Sequence, residues 1–407
     1  MNKIELLAPA GNLEKLKTAI IYGADAVYIG GEAFSLRAKA DNFTRETMKE
    51  ALDFAHARGK KVYVTVNIFA HNGDINGMPE YIKALDEMGV DAVIVSDLGI
   101  FSIVKEVAPS LEVHISTQAN STNYKTAELW HKLGAQRIVL ARELSMKEIK
   151  EIREKMPEEM EIEAFIHGAM CMAYSGRCLL SNYMTGRDAN KGACSHACRY
   201  KYHVVEEKRP GQLYEITEDD RGTYIMNSHD LCMIQHIPEL VDSGITSFKI
   251  EGRMKSSYYV ASVVKAYRMA IDAYLKDKDN YEFDSKWMED VSRSSHREFS
   301  TGFYYGRPDK QILDTATYVR SHDVIGVVVD YDKETKLATI EQRNRVFKGE
   351  EVEILSPVDE NYILTLDTIW NHQGEEVESA PHPQMIYKVR CEKELKKFDM
   401  VVKEKGE

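Results

Sequence analysis

The chain has 407 residues, 43% hydrophobic and 29% charged, enough for one large domain and a smaller one and too apolar for a disordered chain. Its net charge of −12 argues against non-specific binding of polyanions by the molecule as a whole. The start, "MNKIELLAPAGN", lacks a secretory signal, and no run reaches the roughly 18 apolar residues a membrane span needs, so a cytoplasmic protein with no membrane partner is expected.

In chain order, one unit recurs: a helix ending in glycine, a short link, then an apolar strand. It appears as "GADAVYIGG" from Gly23, "GVDAVIVSD" from Gly89, "GAQRIVLAR" from Gly134 and "GITSFKIEG" from Gly244. Glycine suits the left-handed position that ends a helix, and apolar runs without alternation suit a parallel sheet buried on both faces. Further strands read as "IELLAPA" from Ile4, "KVYVTVN" from Lys61, "LEVHISTQ" from Leu111 and "EIEAFIHG" from Glu161. Amphipathic helices fill gaps between them at Leu13 to Tyr22, Arg45 to Arg58, Met78 to Met88, Tyr124 to Leu133 and Ser145 to Lys155. Eight strands alternating with helices predict a (β/α)8 TIM-barrel-like domain over 1–280, with a cysteine-rich insertion at about 168–232. An open doubly wound sheet is the alternative, but no dinucleotide or phosphate-loop glycine motif follows the first strand.

After Gly252 the texture changes to a long helix, "MKSSYYVASVVKAYRMAIDAYLKD", and a linker helix and loop over 281–315. From there "VIGVVVDYDKETKLATIEQRN" reads as two strands joined by a turn at Asp332 to Thr335, with "GEEVEIL" and "PQMIYKVRC" following. A small C-terminal β-barrel domain over 316–407 is expected.

Such barrels carry their chemistry at the C-terminal ends of the strands. The residues just past the apolar runs are Glu32 and Arg37, Asn67, Ser96 and Asp97, Gln118 and Asn120, Arg142 and Glu143, His167, and then Lys249, Glu251 and Arg253. Cationic groups there, with Lys255, suit a small substrate bearing more than one carboxylate. Lys249 with Glu251, or Arg142 with Glu143, could equally be structural ion pairs. We take His167, Glu251 and Lys249 as candidate catalytic groups, and Arg37, Gln118, Arg142 and Arg253 as candidates for holding a cosubstrate. His114, flanked by Val113 and Ile115, reads as a hydrogen-bonded interior histidine.

All cysteines except Cys391 fall between Cys171 and Cys232, spaced C-x6-C, x15, C-x3-C, x33, C. Clustering of this kind in a reducing compartment favours metal or redox chemistry over disulfides. Thiolates are soft ligands, and Cys171, Cys178, Cys194, Cys198 and Cys232 would all reach the face above the seventh strand; spacing alone leaves zinc and an iron–sulfur cluster open. From Cys171 to Arg209 seven Lys or Arg stand against three acids, a local basic balance on an acidic protein. Hydrolytic motifs are absent, although His167 and Cys171 could act as base and nucleophile.

At these residues the sequence closely resembles the U32 peptidase-like family, through "ELLAPAGN", "GADAVYIGG", "ISTQAN", "EAFIHGAMCMAYSGRCLLSNYMTGRDANKGACSHACRY", "SFKIEGRMKSSYYVA" and "HREFSTGFYYG". Some members of that family are described as collagenase-like proteases; others look like oxygen-independent hydroxylation proteins. The resemblance is greatest to the branch that makes 5-hydroxyuridine at the tRNA wobble position with prephenate as oxygen donor. It implies a 4Fe-4S cluster on Cys171, Cys178, Cys194 and Cys232, with Cys198 competing for the third place and zinc the alternative metal. It also implies tRNA and prephenate as partners, bases stacked on tyrosines such as Tyr174, Tyr183, Tyr200 and Tyr202, and a homodimer or a heterodimer with a paralogue. The rival expectations are a peptidase and a non-catalytic RNA-binding or assembly subunit.

Overall fold

The computed structural model describes the chain except residues 1–3, 33–41, 172, 176, 188, 190–192, 200–202, 206–212, 216–228, 307–320, 358 and 406–407. Arg37, Tyr200 and Tyr202 therefore lie outside the described residues. Seven strands follow one another in parallel register, Glu5–Pro9, Ala26–Gly30, Lys61–Val66, Ala92–Val95, Glu112–Ile115, Arg137–Val139 and Glu161–Ala169. An eighth, Ser247–Ile250, pairs in parallel with both the seventh and the first and closes the barrel. The expected (β/α)8 barrel is present, with each strand on the segment that its apolar run marked.

Several of the barrel helices start where a side chain takes up orphan backbone N–H groups. Asn12 accepts from Lys15, Thr44 from Thr47, Asn123 from Thr126 and Ser145 from Glu148, the last as a reciprocal capping box. Gly23, Gly89, Gly134 and Gly244 have φ of 113°, 81°, 96° and 80°, the conformation their recurrence predicted. Leu98–Val107 is a helix that the amphipathic pattern does not single out, because "LGIFSIVKEV" is apolar on most of its surface; Asp97 starts it by accepting from Gly99 and Ile100. Asp97 is thereby engaged as a cap.

The seventh strand runs nine residues, past the barrel wall. Its last turn pairs antiparallel with Asp230–Cys232, so that Cys232 stands opposite His167, and Asp230–Cys232 in turn pairs with Phe299–Ser300. None of the helices in the described residues is long and apolar enough to cross a membrane.

The C-terminal part is an eight-stranded antiparallel sheet in the order 362–365, 351–355, 400–404, 322–332, 337–342, 386–390, 369–371, 376–377. It is a half-barrel, with its own apolar core around Ile325, Val352, Ile369, Tyr387 and Val401. The barrel holds it through specific contacts. The Tyr22 hydroxyl lies 2.8 Å from the Leu355 carbonyl and 2.9 Å from that of Phe398. Lys265 donates to the Asp359 carbonyl and to Asn361 at 2.9 and 2.8 Å, and Arg293 reaches both oxygens of Glu353 at 2.6 and 2.7 Å. Tyr22→Phe strips the hydroxyl from two carbonyls and is expected to destabilise the protein by about 1–3 kcal/mol in urea unfolding. An unchanged midpoint would mean that the Tyr22 hydroxyl adds nothing to the junction beyond its apolar contacts and the Lys265 and Arg293 bonds.

Candidate active site at the barrel mouth

Inside the barrel, charged side chains replace the apolar filling that the strand pattern suggests. Arg137 reaches Glu5 at 2.5 Å, Glu161 at 2.5 Å and Glu163 at 3.0 Å, while Lys249 pairs with the other oxygen of Glu163 at 2.6 Å. The Tyr63 hydroxyl donates to Glu5 at 2.6 Å, and Ser247 donates to Glu5 at 2.8 Å. Glu163 is fully buried; burial pushes its carboxyl up, but Lys249 and Arg137 outweigh that and hold it below the usual range. Lys249 is drawn below the ordinary ammonium value by burial, against the pull of Glu163. Its partner is thus Glu163, across the pairing of the seventh and eighth strands, and not the Glu251 that sequence proximity suggests. Glu163 and Arg137 were absent from the candidates, although a carboxylate or guanidinium inside an apolar run ("EIEAF", "AQRIV") was the signal for them. His114 is buried beside this cluster, edge-on to Tyr63 at 4.6 Å, with Nε2 3.6 Å from Glu112.

Above the cluster the mouth is polar and cationic. Arg253, buried, donates to Thr65 at 3.2 Å and to Asn42 at 3.3 Å. Asn67 donates to the Ser116 hydroxyl at 3.2 Å, the backbone N–H of Gln118 reaches the same oxygen at 3.3 Å, and Ser96 donates to the Asn67 carbonyl at 3.2 Å. After the sixth strand, Arg142 lies 3.9 Å over the Phe165 ring and donates to the Ala169 carbonyl at 2.6 Å. Burial raises the Glu143 carboxyl above its ordinary value. Lys255 is engaged with the Ser295 carbonyl at 2.8 Å.

His167 and Glu251 occupy a different setting. The His167 ring is buried among Tyr259 and Tyr267 of the Ser257–Lys276 helix and Phe299, with Nδ1 3.3 Å from the Tyr267 hydroxyl. Burial, with Lys255 and His296 adding to it, holds its pKa near 3, so the ring is neutral at pH 7. The Glu251 backbone N–H donates to the His167 carbonyl at 2.9 Å, and its carbonyl accepts from Tyr259 at 2.7 Å.

The cysteine segment is tied to the mouth by Asn120, which stands in the left-handed conformation at φ 52°. Its amide donates to the Ser175 carbonyl at 3.1 Å and accepts from Arg177 at 2.7 Å, so one residue after the fifth strand fixes the loop between Cys171 and Cys178. Further along, Ser181 joins the short Leu180–Thr185 helix to the Cys194 segment, bonding the Arg187 carbonyl at 2.7 Å and the Ser195 N–H at 2.9 Å. Cys171 and Cys194 are exposed, Cys178 and Cys198 half-buried, and Cys232 buried, its thiol pushed up to about 11 by burial. Thiols on the segment above the seventh strand, with Cys232 on the strand paired to it, are the right donor chemistry for a soft metal or an iron–sulfur group. Among the described residues, no three His, Cys, Asp or Glu side chains are grouped closely enough to hold a metal ion.

Comparison with known proteins places this arrangement. The model of peptidase family U32 matches residues 11–314, and that of the peptidase family U32 C-terminal domain matches residues 320–401. The chain is 45% identical over 405 residues to tRNA hydroxylation protein P1 of Bacillus subtilis, covering 99% of this chain and 95% of that one. It is 38% identical to tRNA hydroxylation protein P2 of the same organism, over 75% of this chain and 98% of that one. It is also 33% identical to a collagenase of Porphyromonas gingivalis, over 98% of this chain and 99% of that one.

Proposed function

We propose, from the fact that this chain belongs to peptidase family U32, that it is an enzyme of tRNA hydroxylation. The observation that carries the reading is the 45% identity, over 99% of the chain, to a protein named for that process. The finer reading is oxygen-independent 5-hydroxylation of the wobble uridine, with prephenate as cosubstrate.

Three features support it. Arg142 and Arg253 give the mouth two guanidiniums, the groups best shaped for carboxylates. The cysteine loop beside the mouth carries exposed Tyr174, Tyr183 and Arg177, side chains on which single-stranded bases stack. Cys171, Cys178, Cys194 and Cys232 have the donor chemistry for a 4Fe-4S cluster, with Cys198 as a substitute for Cys194 and zinc as the alternative metal. Bound there, an iron–sulfur group would supply one-electron chemistry or a ligand site next to the substrate. The existence of P1 and P2 proteins in one bacterium favours a paralogous pair over a chain working alone. A peptidase using His167 as base fits less well, since that ring is buried among Tyr259, Tyr267 and Phe299 and burial lowers its basicity.

The test is the iron and acid-labile sulfide content of anaerobically purified protein, followed by nucleoside analysis of tRNA incubated with it and prephenate. About four irons per chain, lost in a Cys171→Ala/Cys178→Ala variant, are expected. Stoichiometric zinc indifferent to both cysteines would sink the cluster. Unmodified uridine beside cleavage of a peptide substrate would return the family's peptidase description to this chain.

A further inference from the structure

We propose that Arg177 holds a phosphate of the RNA strand at the barrel's C-terminal face, through the free fork of its guanidinium. The inference rests on the reading above that the substrate is tRNA, and it gives Arg177 a phosphate contact in place of base stacking.

The observation is where this side chain is held. Arg177 lies on the segment after the seventh strand, yet its Nε donates to Asn120, after the fifth strand, at 2.7 Å, and its guanidinium carbon is 5.0 Å from the centre of the Phe69 ring, after the third. In a closed ring of eight the third strand stands opposite the seventh, so these contacts join opposite sides of the barrel's C-terminal face. The side chain is nevertheless exposed. A surface arginine ordinarily samples many rotamers, whereas this one is fixed at two points, so a ligand does not have to order it.

The part of the guanidinium that remains decides the ligand. Asn120 takes Nε and the Phe69 ring packs against the group, which leaves Nη1 and Nη2 with no partner among the described residues. Two N–H groups at the end of a planar fork match two oxygens of one phosphate. Stacking falls to Tyr174, which is 47% exposed and whose carbonyl accepts from the Arg177 backbone N–H at 3.0 Å, so ring and guanidinium belong to one turn. A base on the tyrosine and a phosphate on the arginine are the parts of one nucleotide. A carboxylate would fit the same fork, but the guanidinium suited to a small enclosed anion is that of Arg253, only 5% exposed, whereas a strand that stays on the surface reaches an exposed one. On a chain of net charge −12, a phosphate strand needs such a local cation in order to approach.

The experiment is fluorescence anisotropy of the full chain with a labelled anticodon stem-loop RNA carrying a wobble uridine, repeated over a range of salt concentration. Arg177→Gln should weaken binding about tenfold. It should also make the slope of log affinity against log salt shallower by about 0.7, the loss of one phosphate contact on a single strand. Arg177→Lys keeps the charge and should keep the slope while losing part of the affinity. Tyr174→Ala should weaken binding at an unchanged slope, as a lost stacking contact does. Melting temperatures establish that each variant is folded, and calorimetric titration of Arg177→Gln with prephenate should give the wild-type affinity. RNA binding by folded Arg177→Gln that is undiminished, or weaker at an unchanged slope, overturns the phosphate contact and leaves tRNA as the substrate. Loss of prephenate binding with RNA binding intact gives the fork to a carboxylate and overturns it as well. If the wild type does not bind the RNA at all, the tRNA reading falls, and this contact with it.

Discussion

Replacing Lys249 by methionine is expected to destabilise the protein by about 3–5 kcal/mol, because it removes one partner of a buried ion pair and leaves the other charged. Glu163 is fully buried and would keep Arg137 as its only cation among the described residues, while Arg137 is already shared with Glu5 and Glu161. The double variant Lys249→Met/Glu163→Gln removes the stranded charge and should recover most of the loss, which separates this mechanism from simple loss of packing. Acid dependence gives a second readout. Glu5 and Glu163 both sit below the ordinary value of 4.5 in the folded state; burial opposes this, but Arg137 for the first and Lys249 with Arg137 for the second prevail. A depressed folded value contributes stability that is complete above 4.5 and is lost as pH falls from there through the lowered values. In Lys249→Met the Glu163 carboxyl loses its nearest cation and should take up its proton at higher pH, so acid destabilisation should begin earlier. A single variant that unfolds with the wild type at every pH would show that Lys249 is not committed to the barrel interior, and would restore it as a candidate for the chemistry.

Gly168→Ala should be comparably damaging. Gly168 has φ 108°, where an L side chain is strained, and a Cβ built there falls 2.6 Å from the Glu251 carbonyl oxygen and 2.9 Å from Glu251 Cβ. Neither neighbour can yield cheaply. The Glu251 backbone is pinned by its N–H to His167 at 2.9 Å and by the Tyr259 hydroxyl on its carbonyl at 2.7 Å. Backbone strain of about 1–3 kcal/mol and overpacking of a similar size, about 1–3 kcal/mol, are expected together. Gly168 lies at the end of the seventh strand, just before Cys171, so any metal bound by the cysteine segment should also be lost. Gly73→Ala is the control, with no positive φ and nothing within 4 Å of the added carbon; it should melt with the wild type. If Gly168→Ala does the same, the seventh and eighth strands have more freedom at the mouth than this packing allows.

The residues that carry the barrel are read correctly from the chain because their signals are local. "GADAVYIGG" ends one helix and begins one strand within nine residues, and Ser145 finds Glu148 one turn away. Asn67, Gln118, Arg142 and Arg253 could likewise be placed at one end of the barrel, since each comes just after an apolar run, and the cysteines from Cys171 to Cys232 because they lie in the excursion between the seventh and eighth strands. What each of those side chains touches was not legible. Lys249 and Glu163 are separated by 86 residues, Arg137 and Glu5 by 132, and Asn120 and Arg177 by 57, and no periodicity encodes such a partner. His167 looked like a mouth residue because it ends a strand, yet that strand continues past the barrel to pair with Cys232, and the ring is enclosed by Tyr259, Tyr267 and Phe299. The sequence by itself determined the family, the eight-stranded barrel and the set of chemical groups at its mouth, since short-range capping and burial patterns specify those. Only closure of the barrel decided which charges neutralise one another inside it, because that depends on register between strands far apart in the chain.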